Sequence, residues 1–217
     1  MADRWARLAT PILGVIFVVL VLVSIFVGSN NTPDSNWSGQ RVIKFYVQHR
    51  HDQKVADLIG SISFGFLVYW TATVRSYLRR SERAEGASTL MLVGAALFAV
   101  GFLTVFGVDF ALADVPRSLV PGAAQALNVL ENDLWFGIPI GGGVWAIAGG
   151  IAILRGAQLP KWLGWVAVVL GVVVDSPALF FALFALLLWV LIVSFLVYRR
   201  SGPTAAPGGS PPAPIPA

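Results

Sequence analysis

The chain contains no cysteine, which excludes disulfides, thiol nucleophiles and cysteine-ligated metals or clusters. Histidine is nearly as scarce, and two residues leave little from which to build a transition-metal centre. Charge is the third shortage. Asp, Glu, Lys and Arg make up 12% of the residues, where soluble domains carry about 25%. The basic residues stand in small groups between apolar runs, so they form no footprint for nucleic acid. There is no Walker loop, H-E-x-x-H, G-x-S-x-G or Cys/His nucleophile pair. No cofactor, metal or enzymatic chemistry is therefore expected.

What the chain does have is apolar length: 57% of it is hydrophobic, with a mean hydropathy of +0.77. Residues 162–198 carry one charge, Asp175. As one helix this stretch would run about 55 Å, against a hydrocarbon core of about 30 Å. It must double back, and Asp175-Ser176-Pro177 is its only punctuation. Spans are predicted at about 11–28, 55–77, 89–112, 134–154, 160–174 and 178–198. The expected fold is an all-α membrane protein, a six-transmembrane-helix bundle over residues 1–200. A disordered Pro/Ala/Gly-rich tail is expected at 201–217.

The first span follows Arg4 and Arg7, exceeds the usual h-region of about 7–15 residues, and lacks an A-x-A site after it. It reads as a retained signal anchor. Residues 29–54 form the longest polar connection, and their amphipathic second half fits a helix in the headgroup region or folded over the bundle mouth. A short helix is expected at 122–130. The run Gly137-Ile138-Pro139-Ile140-Gly141, with Gly142 and Gly143 after it, predicts a buried span kinked at Pro139.

With six spans, ten of the fifteen Lys and Arg residues share the side of both termini and five lie opposite. The bias predicts a multi-pass plasma-membrane protein with cytoplasmic termini. Its surroundings are the lipid bilayer and, as a candidate partner, another membrane protein.

That orientation gathers Asp57, Asp109, Asp114, Glu131, Asp133 and Asp175 at the outer ends of spans, beneath a basic loop bearing His49 and His51. An acidic rim under such a lid describes a polar pocket, expected between the third, fourth and fifth spans. Asp175 lies about 22 Å along its helix, inside the core, where a carboxylate must face protein or water or take a proton. It also fits a capping role beside Pro177, as Asp133 does before Leu134. Asp109 is expected to bond loop backbone or Arg117, and Asp57 to pair with Lys54 or a histidine. His49 and His51 lie about 200° apart on a helix and cannot chelate together there. A pH-responsive lid is the other use of imidazoles at that place.

Tyr46-Val47-Gln48-His49-Arg50, Leu159-Pro160-Lys161-Trp162-Leu163-Gly164-Trp165 and Leu188-Trp189-Val190-Leu191-Ile192-Val193-Ser194 carry a family likeness. Through these motifs, residues 46–200 resemble a family of small multi-pass bacterial, mostly actinobacterial, membrane proteins classed only as a domain of unknown function. The resemblance implies a six-helix bundle and supplies no catalytic residue. The expectation is a non-enzymatic accessory or ligand-responsive membrane component with an outward-facing polar pocket. The alternative is a small proton- or cation-coupled transporter or channel subunit using Asp175.

Overall fold

A computed structural model describes residues 2–28, 32–156, 158–174, 176 and 178–200. Long apolar runs with few breakers leave the backbone one way to satisfy its own polar groups, and the described residues contain helices and no strand. They form α1 (Ala2–Val27), α2 (Gly39–Leu78), α3 (Glu85–Asp114), α4 (Pro121–Leu134), α5 (Ile138–Gly156), α6 (Lys161–Val173) and α7 (Leu179–Arg200). Short 3-10 turns at Glu82–Ala84 and Pro116–Ser118 punctuate the connections. Five helical stretches are long and apolar enough to cross a membrane, and α6, with 13 residues, is shorter. Asp175, Pro177 and the 201–217 tail lie outside the described residues; Ser176, from the same expected turn, is described and donates its hydroxyl to the Val173 carbonyl at 2.6 Å, just past the end of α6.

One local expectation is refined and one changes. The amphipathic segment and the second span run end to end as α2, two helical stretches joined at a kink where His49 leaves helical geometry at φ −111°, ψ 17°. Pro139 kinks nothing. It sits in the first turn of α5, where a missing N–H is harmless because the helix has no earlier carbonyl to bond. Ahead of it Gly137 and Phe136 turn the chain, their amides bonded to the carbonyls of Leu134 and Asp133.

Glycine decides how α5 packs. A β-carbon on Gly94 of α3 would collide with the Trp145 backbone, and one on Gly141 would collide with the backbone at Leu97 and Phe98. Gly150 and Gly164 bring α5 and α6 together in the same way, and Gly171 meets the Gly143 carbonyl region. Helices that lack side chains at the crossing can touch backbone to backbone, gaining dispersion contacts over their whole length. A β-carbon on Gly14 would likewise strike Ser194 and Trp70, so α1 is pinned to α2 and α7 at the end remote from α4.

At the other end a small second core forms a cap. Val42, Phe45 and Tyr46 of bent α2 pack with Leu112 and Ala113 of α3 and Ala124 of α4. Arg50 donates to the Ala113 and Asp114 carbonyls at 3.2 and 2.5 Å, covering acceptors that the end of α3 leaves unpaired. Lys54 meets the Asp114 carboxylate at 2.6 Å. Asn128 and Asn132 of α4 donate to the carbonyls of Asp34 and Pro33, fixing the 32–38 segment over the bundle.

Candidate functional site

Beneath that cap lies a cavity of about 1190 Å³. Its walls come from α1, α2, α3 and the first turns of α7, with Glu131 and Asn132 of α4 at the mouth. It is not between the third, fourth and fifth spans. α5 contributes only Trp145 among the described lining residues, and α6 contributes none. The glycine contacts account for this, because α3, α5 and α6 meet too closely to leave room.

On α2, Gln53, Asp57, Gly60 and Phe64 recur every three or four residues, which places them on one helical face turned to the cavity. From Gln53 to Phe64 that face spans about 16 Å, so the site changes character along its depth. The end near the cap is polar. Asp109 accepts hydrogen bonds from the Tyr46 hydroxyl and the Gln53 amide, and Asp57 lies within hydrogen-bonding reach of it. Glu131 accepts from Trp135 Nε1 at 3.0 Å and from Asn132 at 3.2 Å. Asp34, Asp57, Asp109 and Glu131 all line the cavity, and Arg41 is the sole Lys or Arg among its described lining residues. That guanidinium is turned onto the Trp37 ring, 3.6 Å from its centroid.

Deeper, the wall is aromatic. Phe64 stacks on Phe102 at 4.1 Å, and Phe98 lies parallel to Trp145 at 6.1 Å. Of the tryptophans beyond, Trp145 lines the cavity, and Trp70 and Trp189 back it as a floor of three mutually edge-on rings with centroids 5.7 to 6.1 Å apart. All three are buried, and each indole N–H is used: Trp70 to Ser194 Oγ, Trp145 to Thr71 Oγ1, Trp189 to the Leu163 carbonyl. A floor with satisfied donors and close-packed rings is rigid and dry.

Two acceptors stand out. Asp57 Oδ2 and Gln53 Oε1 are buried with no protein donor, on side chains only 3% and 5% exposed. A buried acceptor left unpaired costs about 1–3 kcal/mol, so such atoms usually serve something.

The residues expected at a polar pocket separate. Asp57 and Asp109 come together with Glu131. Asp57 does not pair with Lys54, which reaches across to Asp114, nor with a histidine. Asp109 bonds Tyr46 and Gln53 rather than loop backbone or Arg117, because its face of α3 turns inward. His49 bonds the Phe45 carbonyl at 3.0 Å and lies against the Phe45 ring, while His51 is exposed beside a separate open groove with Arg50 and Lys54. Neither lines the cavity. Asp133 is exposed in the last turn of α4 rather than capping α5, which starts five residues later. Asp175 lies outside the described residues.

Comparison with protein families, with curated proteins and with solved structures finds no match. Function has to be read from the cavity. Gln53 and Tyr46 are the parts that sequence reasoning missed. The four-residue spacing of Gln53 and Asp57 on an otherwise apolar helical face is the signal that could have found the first, whereas nothing in the local pattern points from Tyr46 to Asp109.

Proposed function

We propose that this chain is a non-enzymatic, ligand-responsive protein of the plasma membrane, crossing the bilayer six times with both termini cytoplasmic, whose outward-facing pocket binds a small amphiphilic molecule. Five helices with the length and hydropathy to span a bilayer support the membrane assignment; in this reading the sixth crossing falls to α6, whose 13 residues are short for a span but pack along α5 through Gly150 and Gly164. The observation that carries the binding reading is one cavity with a carboxylate-lined mouth and a phenylalanine wall, large enough for a whole ligand. The tryptophan floor favours binding over conduction. A transporter or channel subunit would need a polar path past Trp70, Trp145 and Trp189, whose donors are already committed. That alternative also rests on Asp175. The resemblance to an actinobacterial membrane family belongs with this proposal and adds no activity to it.

Purification in mild detergent followed by native mass spectrometry tests the reading. The expected spectrum shows a one-to-one adduct of lipid-like mass, lost in Ser63→Phe, which fills the lower cavity. A spectrum of bare protein, or an adduct indifferent to that substitution, would overturn it. Because the chain has no cysteine, Ser176→Cys reports topology cleanly. It should react with an impermeant maleimide from outside intact cells, and reaction only from the cytoplasmic side would remove the six-crossing arrangement.

A further inference from the structure

The cavity wall specifies its ligand more narrowly than the presence of a pocket does. Asp57 Oδ2 and Gln53 Oε1 are both acceptors, both buried, and one helical turn apart on the same face of α2. A neutral hydroxyl has one hydrogen to give and could pair only one of them, whereas a primary ammonium has three. Charge points the same way. Four carboxyl groups line the cavity against one guanidinium, and that guanidinium is occupied by Trp37. Asp57 and Asp109 lie close enough that two negative charges would repel strongly, a situation relieved by a shared proton or by a cation between helices.

The apolar half has its own direction. Ile25 of α1 and Phe180 and Phe184 of α7 line the cavity and are 41%, 62% and 38% exposed, whereas Phe64 and Phe102 on its inner wall are 5% and 6% exposed. Wall residues this exposed on two neighbouring helices fit a lateral opening between them. α1 and α7 meet closely at Gly14 and Ser194, so room between them is left at the stretches that line the cavity, 17–25 of α1 and 180–187 of α7. A cavity open at the side among phenylalanines, with acceptors at its end, fits a molecule that lies in a bilayer and turns its head inward.

Resting on the binding reading above, we propose that the ligand is a single-chain amphiphile with a primary-ammonium head. The head sits between Gln53 and Asp57, the alkyl chain runs along Phe64 and Phe102, and entry is from the membrane between α1 and α7.

The test uses the full chain in phosphatidylcholine nanodiscs and four photoreactive probes sharing one long alkyl chain with a mid-chain diazirine. Their heads are primary ammonium, trimethylammonium, hydroxyl and carboxylate. The ammonium probe is expected to label peptides around Ile25 and Phe180–Phe184 and to bind at least tenfold more tightly than the trimethylammonium probe, which has the charge but no N–H. The hydroxyl probe should be similarly weak and the carboxylate weakest. Asp57→Asn should lower ammonium affinity at least tenfold and leave the hydroxyl probe unchanged. Gln53→Leu serves as the second variant if the first does not fold. Equal labelling of the cavity by all four probes would leave the pocket standing and overturn the ammonium assignment. Displacement of the ammonium probe by short-chain butylamine at matched concentration would make the ligand a free amine and overturn the amphiphile. Absence of cavity labelling by every probe would overturn the binding reading itself.

Discussion

The bundle has two sides built on opposite rules. On one, α3, α5 and α6 touch through Gly94, Gly141, Gly150, Gly164 and Gly171, where there is no side chain to hold the backbones apart. On the other, α1, α2, α3 and α7 face one another across phenylalanines, carboxyl groups and a cavity of about 1190 Å³. Helix α3 belongs to both, with Gly94 on the closed side and Asp109 on the open one. Close glycine contact makes the first side stiff, and a stiff partner allows the second to hold unpaired acceptors and open space without collapsing. The glycines therefore serve the site although none of the five lines it.

Breaking the seal between the two sides should cost most. Trp145 is the wall they share, packed on Gly94 and Phe98 and facing the cavity. Trp145→Ala is expected to lose about 3–5 kcal/mol and to lower the midpoint of thermal unfolding in detergent sharply. It should also enlarge the site, so that longer-chain amphiphiles bind relatively better. Next comes the closed side alone. Gly94→Val drives a branched side chain into the Trp145 backbone and should cost about 1–3 kcal/mol or more. Gly107, on the same helix, provides the control, since a β-carbon added there would meet nothing within 4 Å. Gly107→Ala should leave the unfolding midpoint unchanged or slightly raised, because alanine is the better helix former. Equal losses at the two glycines would end the distinction between a sealed and an open side.

Within the open side the expected sign reverses. Asp57→Leu removes a buried acceptor with no protein donor, so the unliganded protein should become more stable by about 1 kcal/mol while ligand affinity falls. Opposite movements in thermal unfolding and in binding are the signature of a group kept for its ligand. A loss of stability in this variant would instead make Asp57 a structural partner of Asp109.

Five long apolar helices were legible because runs of about 20 apolar residues, the length a bilayer-crossing helix needs, survive any uncertainty about packing. Glycine in the fourth span was legible too, since a helix poor in side chains is most useful buried. Asp57 and Asp109 stood out as carboxyls among apolar residues. Their meeting did not, because it depends on how α2 and α3 are rotated about their axes, and neither segment alone determines the other's rotation. The nearest neighbour in the chain misled: Lys54 is three residues from Asp57, yet the bend at His49 and the position of the α3 terminus send it to Asp114. The amphipathic segment was read apart from the second span because its polarity changes, and α2 does leave helical geometry between them, at His49, although no proline or glycine lies between Gly39 and Gly60.

The smallest effect belongs to the cap, where the comparison can be sharpened. Lys54 and Asp114 are 30% and 46% exposed, so water and salt screen their attraction, and Arg50 still covers the α3 carbonyls when Lys54 is gone. Lys54→Met should leave the unfolding midpoint nearly unchanged, with whatever difference remains vanishing in high salt. Hydrogen exchange is the finer measurement. Amides of the bent first part of α2, between Gly39 and His49, should exchange modestly faster, and those around Trp70 should not change, because the cap core and the main core are separate clusters. Faster exchange around Trp70 as well would mean that cap and floor open together. The ligand would then have a second way in, through the mouth, and the gap between α1 and α7 would lose its standing as the entrance.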